Sequence, residues 1–335
     1  MANPKGINPA ARLSPDVYDL GKLKQVPTRD GYGQGLVLAG ARQKEVLVLC
    51  ADLSESTRSL WFKEKFPERF VQFGVSEQSL AAVAAGMALA GKIPFISSYA
   101  MFCPGRAWEQ VRTNIALNDA NVKIAGAHAG VSVGPDGATH QAIEDIAIMR
   151  PIPNLALIVP CDAIETRKCT VAAAKFRGPF YFRFAREKSP VFTTEKTPFR
   201  IGQAVTYRFG KQAAILGAGP VLHNALLAAN ELSREGIECL VINNATVKPM
   251  DEKAVLSAAK RCGALVTVEE HQKQGGMGSR VAEILAAHCP VPMEFVGVPD
   301  CFGESGTPAE LIERFGLGVR DIKKAVKKVI KRKRG

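Results

Sequence analysis

Nowhere in the 335 residues does an apolar run reach the roughly 18 residues that a membrane-spanning helix needs. The opening stretch MANPKGINPAARLSPDVYDL has no apolar centre of the kind a secretory signal requires, so a cytoplasmic chain is the expectation. The eight cysteines stand singly, at 50, 103, 161, 169, 239, 262, 289 and 301, without a C-x-x-C pair. Several lie inside apolar runs such as VLVLC, so reduced, mostly buried thiols are expected and a disulfide framework is not. The five histidines form neither H-E-x-x-H nor a short Cys/His pairing, which argues against a zinc site. There is no G-x-x-x-x-G-K-[ST] and no G-x-S-x-G, which removes the P-loop and the nucleophile elbow. Gly217-Ala218-Gly219 follows a strand-like run, but Pro220 intervenes and Leu222 stands where a dinucleotide fingerprint needs its third glycine. No repeat of fixed period occurs.

What is present is a folded composition, 47% apolar with 30 Gly and 20 Pro, in a chain long enough for two cores. The net charge of +12 is concentrated at one end: from Arg320 onward nine Lys or Arg face one acid, Asp321. The body keeps only +4, a poor basis for nucleic-acid binding. Ile322, Val326, Val329 and Ile330 fall at helical spacing, predicting a terminal helix with a solvated basic face. Upstream, strand-like runs (46–50, 69–73, 93–97, 122–126, 155–160) alternate with helical stretches (76–91, 107–118). The alternation resumes after a break at about 188–200 that has charge, Pro and β-branched residues but no helical period. This predicts an α/β chain of two domains, each a mostly parallel sheet flanked by helices. The expected layout is an N-terminal arm at 1–24, a first domain at 25–190, a second at 191–319 and a basic tail at 320–335.

The informative region is GAHAGVSVGPDGATHQAIEDIAIMRPIPNLALIVPCD, residues 126–162. Two imidazoles, His128 and His140, flank a glycine-rich loop containing Asp136, directly after a strand, where α/β folds place ligand sites. Spacing alone favours a polar surface loop with incidental histidines. Glu77 follows Ser76, a suitable N-cap, and opens an apolar helix, so it also reads as an acid favoured by the helix dipole.

GPDGATHQ with IEDIAIMRPIPNL resembles the substrate-loop signature of transketolase, D-G-x-T-H-Q followed by R-x-I-P-N. FGVSEQSLAAVAAGMALAGKIPF is similar to that family's cofactor-activating segment, and TRDGYGQGL, ADLSEST, GPFYFRFARE and EEHQKQGGMGSRVAE follow its landmarks in order. The resemblance, from about residue 25 to 320, implies the family's pyrimidine-binding and C-terminal domains. It implies that Glu77 hydrogen-bonds the aminopyrimidine of thiamine diphosphate, with Tyr99 and Phe102 around that ring and Asp52 an interface carboxylate nearby. His128 and His140 match the imidazoles at the sugar hydroxyls and the reacting carbonyl, and Asp136 the carboxylate that reads a donor hydroxyl. Arg29, Ser56 and Arg186 match the phosphate-binding set, with Arg183 a competitor for Arg186.

No G-D-G occurs, although the family holds its diphosphate and Mg²⁺ with that motif. The resemblance therefore implies the C-terminal subunit of a split transketolase that moves a two-carbon ketol unit between phosphorylated sugars. An N-terminal subunit carrying G-D-G would hold the diphosphate and Mg²⁺, in a heterotetramer built on a homodimer. The alternatives are the β subunit of a 2-oxoacid dehydrogenase decarboxylase, a 1-deoxyxylulose-5-phosphate synthase fragment, and a non-catalytic scaffold that binds RNA through its tail. Ser76-Glu77-Gln78 stands where one-chain transketolases commonly carry Arg-Glu-His, which leaves the acceptor sugar open.

Overall fold

The computed structural model describes residues 4–334. The first domain is built on strands β1 (Val46–Cys50), β2 (Phe70–Gln72), β3 (Ile93–Tyr99), β4 (Lys123–Ala127), β5 (Ala156–Ile158) and β6 (Phe180–Phe184). The second contributes β7 (Val205–Arg208), β8 (Ala213–Gly217), β9 (Cys239–Asn243), β10 (Thr246–Lys248), β11 (Leu265–Gln272) and β12 (Met293–Val298). In the first sheet the order is β10-β5-β6-β4-β3-β1-β2, parallel except for β10, and in the second it is β12-β11-β8-β9-β7, parallel except for β7. The two mostly parallel sheets expected from the alternation are thus present. β10 departs from it: Thr246–Lys248 leaves the second domain and pairs antiparallel with β5 of the first. An apolar cluster continues across the seam, from Leu80, Ile96 and Ile124 to Leu216, Val281 and Ile284.

Helices α1 (Thr28–Arg42), α2 (Glu77–Leu89) and α3 (Ala163–Lys175) serve the first sheet, and α4 (Leu222–Arg234), α5 (Glu252–Cys262) and α6 (Met277–His288) the second. α1 approaches the start of α3 closely: a side chain at Gly31 would lie 2.1 Å from the Ala163 carbonyl, so only glycine fits. That approach fixes the first turn of α1 and therefore Arg29. At the start of α2 the expected side-chain cap is not formed; Ser76 Oγ donates back to Phe73 O at 2.9 Å.

The N-terminal arm lies on the second domain. Ile7 bridges to Arg208, Asn8 N donates to Tyr207 O, and Val17 O meets the buried ring of His223. Ile7, Ala11, Leu13, Val17 and Leu23 join that domain's core. The terminal helix α8 (Val319–Arg334), preceded by the short α7 (Pro308–Arg314), seats Ile322, Val326 and Val329 in the same core. Much of its basic face is paired: Lys323 with Glu231 and Glu235, Lys327 with Glu235, Lys328 and Arg332 with Glu294. No helix among the described residues is long and apolar enough to cross a membrane.

Alternation along FYFRF sends Phe180, Phe182 and Phe184 to one face of β6 and Tyr181 and Arg183 to the other. There Arg183 Nε lies 2.9 Å from Asp145 Oδ2, an ion pair set off the angle of a hydrogen bond, and Tyr181 donates to the same oxygen at 2.6 Å. Arg183 also donates to the carbonyls of Ala142 and Glu270, the latter in the second domain. Nearby on the seam, Glu165 accepts from Cys161 N and Asn243 Nδ2, both at 2.7 Å, and burial pushes its carboxyl up to about 7. Removing one partner of a buried pair leaves the other charge uncompensated. Arg183→Met should lower unfolding free energy by about 3–5 kcal/mol, read as a fall in the urea midpoint. A loss below about 1 kcal/mol would mean that desolvation of the pair cancels its attraction.

Candidate active site

The C-terminal ends of parallel strands converge on one place. β3 ends at Tyr99, β4 runs into His128, and β6 leads through Ala185 to Arg186. His128 takes a left-handed φ of +54°, uncommon for a residue with a side chain and a form of local strain found at functional sites. Its ring centroid lies 4.1 Å from that of Tyr99, which is 6.0 Å from Phe102 and 6.1 Å from His140. Phe102 and His140 meet edge to face at 5.3 Å. His140 Nδ1 is 2.9 Å from Thr139 Oγ1. The four rings flanking the glycine-rich loop are therefore one contiguous cluster.

Arg29 Nη1 lies 3.5 Å from His128 Nε2 and donates to the Ser56 carbonyl at 3.1 Å. It is thus the backbone of Ser56 that meets Arg29. His128 Nδ1 and Arg29 Nε are buried and lack a hydrogen-bond partner among the described residues. Arg186 Nη1 lies 3.0 Å from both carboxylate oxygens of Asp136, so two residues read separately from the sequence form one ion pair. Arg183, the competitor for Arg186, is enclosed and occupied with Asp145 and two carbonyls, whereas Arg186 borders a cleft of about 770 Å³. Arg29, Asp30, Arg58, Arg186, Ser132 and Glu270 line part of this cleft.

Glu77, the first residue of α2, is 1% exposed. Its Oε2 accepts from Arg106 Nη1 at 2.8 Å, and its Oε1 has a long contact of 3.4 Å with Ser98 Oγ. Arg106 in turn lies over the Phe102 ring at 4.9 Å, which joins the carboxylate to the aromatic cluster. The buried carboxylate thus has an ion-pair partner. Asp52 stands outside this cluster. It sits exposed in a left-handed turn after β1 and accepts from Gln72 Nε2 at 3.1 Å.

Two arginines escaped the sequence reading. Arg106 sits in FCPGRAW, where only its distance from Phe102 hinted at a role. Arg58, two residues after Ser56, donates to Asp30 Oδ1 at 2.7 Å and offsets that acid beside Arg29. Glu269 and Glu270 serve the scaffold: Glu269 accepts from the N-terminal amides of α6, and Glu270 Oε1 from Ser132 N at 2.6 Å.

Oε1 of Glu77 with the half-buried ring of Phe102 suits a flat heteroaromatic group bearing a ring nitrogen, as the pyrimidine of thiamine diphosphate is. For Mg²⁺ the donors do not fit: no group of three or more His, Cys, Asp or Glu among the described residues is placed to hold a metal ion.

Burial and the nearby guanidiniums of Arg29 and Arg186 push His128 down to about 3, so its imidazole is neutral at physiological pH. In the unfolded chain it titrates near 6.5, so its contribution to stability is lost as pH falls below about 6.5 and levels off near the folded value. NMR of ring-labelled protein should show His128 unprotonated from about pH 8 to about pH 5. A midpoint near 6.5 would mean that the ring is open to water.

The chain matches the family model for the transketolase pyrimidine binding domain over residues 24–191 and that for the transketolase C-terminal domain over 202–322. It is 38% identical over 312 residues to the 6-deoxy-6-sulfo-D-fructose transketolase subunit SqwH of a Clostridium species, covering 93% of this chain and 97% of that protein. Human transketolase is 34% identical over 310 residues, 91% of this chain and 49% of that enzyme. A solved structure titled as a split gene transketolase, an inactive beta4 tetramer, superposes with a TM-score of 0.86 at 44% identity, covering 91% of this chain and 99% of that one.

Proposed function

The chain belongs to the transketolase family, and from that premise we propose that it is the C-terminal-type subunit of a two-chain transketolase. It would transfer a two-carbon ketol unit between phosphorylated sugars. The observation that carries this reading is the continuous path of contacts Glu77–Arg106–Phe102–His140–Tyr99–His128–Arg29. It joins a buried carboxylate, an aromatic shelf, two imidazoles and a guanidinium in the order in which cofactor ring, reacting carbonyl and sugar phosphate would lie. The diphosphate and Mg²⁺ are assigned to an N-terminal-type partner carrying G-D-G, because this sequence has no such motif. The Clostridium relative is itself named a subunit, which agrees with that division.

Thiamine diphosphate, when bound, supplies a nucleophilic carbon and an electron sink for cleaving a bond next to a carbonyl. The residues of this chain do the rest. Glu77 holds or accepts a proton at Oε1, the oxygen not taken by Arg106. Phe102 offers a ring face to the pyrimidine, and Tyr99 packs behind it. His128, neutral and with no partner for Nδ1 among the described residues, hydrogen-bonds the sugar oxygens as an uncharged imidazole, and His140 exchanges a proton with them from the loop's far end. Asp136 accepts from a donor hydroxyl once Arg186 turns to the phosphate, so substrate binding exchanges one ion pair for two contacts. Arg29 reaches the same anion, with the Ser56 carbonyl holding its guanidinium in place. Asp52, on its exposed turn, is left to the contact with a neighbouring chain.

Alone, the purified chain should show no ketol transfer, and mixing with the partner should restore it. Glu77→Ala should then cut turnover by about 100-fold or more while assembly persists. Turnover by the single chain, or a variant keeping above about a third of activity, would sink the proposal. Asp136→Ala should lower kcat/KM for xylulose 5-phosphate by about 10- to 300-fold and far less for hydroxypyruvate, which has no C3 hydroxyl. Equal losses with both donors would remove the hydroxyl-reading role. A guanidinium fork also suits a sulfonate, so a 6-sulfo sugar belongs in the same assay.

A further inference from the structure

The contact between Glu77 and Arg106 has a role beyond balancing charge. Burying a carboxylate is costly unless a counter-charge or several donors meet it, and Glu77 is 1% exposed. It has two contacts. Arg106 Nη1 donates to Oε2 at 2.8 Å, and Ser98 Oγ approaches Oε1 at 3.4 Å, too long for a strong hydrogen bond. One oxygen is therefore engaged and the other has free lone pairs.

Arg106 is held for this purpose from its own side. Its backbone N–H donates to Phe102 O at 2.9 Å, closing a tight turn. Within that turn a side chain at Gly105 would lie 2.0 Å from the Met101 carbonyl, so glycine is required there. The guanidinium lies over the Phe102 ring at 4.9 Å, and half of the Arg106 side chain stays exposed. Arg183 presents the opposite case, an enclosed guanidinium that serves the core. A half-exposed arginine adds little to the core, yet this one pins a buried carboxylate and stacks on the ring beside it.

We infer that Arg106 is the positioning residue for Glu77: it fixes the carboxylate through Oε2 and so presents Oε1 to the pyrimidine nitrogen. The inference rests on the role given to Glu77 in the proposed function. Lysine can supply the charge but not the fork and the stacking together, so it should replace arginine only in part.

The test uses the complex reconstituted from this chain, its partner, thiamine diphosphate and Mg²⁺. Arg106→Met should lower kcat by about 10- to 100-fold and leave KM for the ketose donor within about 3-fold. It should also alter the near-ultraviolet circular dichroism band of the bound aminopyrimidine. Arg106→Lys should recover kcat to within about 5-fold of wild type. In the isolated full chain, Arg106→Met should lower the urea midpoint, and the double variant with Glu77→Gln should regain most of that loss, since the uncompensated charge is gone. An Arg106→Met complex within about 2-fold of wild type, a lysine variant no better than methionine, or additive urea midpoints would each overturn the inference while the proposed function stands. A wild-type complex without any cofactor-dependent band would instead overturn the proposed function, and this inference with it.

Discussion

One buried guanidinium holds the candidate site in register. Arg183 takes its position from strand alternation in FYFRF, its charge balance from Asp145, and its remaining donors from Ala142 and Glu270. Those four residues lie on β6, on the helix that follows the loop, at the loop's exit and on β11 of the other domain. The loop carrying His128, Asp136 and His140 is therefore anchored where it rejoins the core, and the second domain is tied to the same point. Glu270 reinforces this by accepting from Ser132 inside the loop. Without these anchors, a loop with three glycines at positive φ would have many conformations to choose from.

The end of the site assigned to the sugar phosphate follows a different electrostatic plan. Arg29, Arg58 and Arg186 each have an acid or a carbonyl to engage: Arg29 the Ser56 carbonyl, Arg58 the Asp30 carboxylate, Arg186 the Asp136 carboxylate. The guanidiniums are held by these contacts, with which the proposed sugar phosphate would have to compete. This favours ligands that answer the fork geometry over those that merely carry charge. On α8, Glu231 of α4, Glu235 just after it and Glu294 on β12 neutralise much of the basic face, which ties the helix to its own domain.

Strand identity was readable because parallel, doubly covered strands leave uninterrupted apolar runs; VLVLC and MEFVGV coincide with β1 and β12. The family resemblance, carried by short polar strings, named the residues that come together: His128, His140, Tyr99, Phe102 and Arg29. What escaped was whatever depends on a partner distant in sequence. Arg106 has meaning only beside Glu77, 29 residues away, and Arg58 only beside Asp30, 28 residues away. The pairing of Asp136 with Arg186 spans 50 residues. Ser76 looks like a cap, yet its hydroxyl turns to the carbonyl of Phe73 and accepts from no helix amide. β10 reads as second-domain sequence and pairs in the first sheet, because its register is set by β5.

The arm bears on the order of events at the ribosome. Ile7, Leu13 and Val17 leave the exit tunnel before any other part of the core, yet the surfaces they cover, around Tyr207, Arg208 and His223, are made about 200 residues later. The last turns of α8 close that same core. During synthesis the first domain can assemble while the arm waits, its apolar side chains unclaimed. The second domain thus finishes folding only when residues 7–23 and 322–329 are both in place, so the apolar side chains of the arm stay exposed for the longest stretch of synthesis.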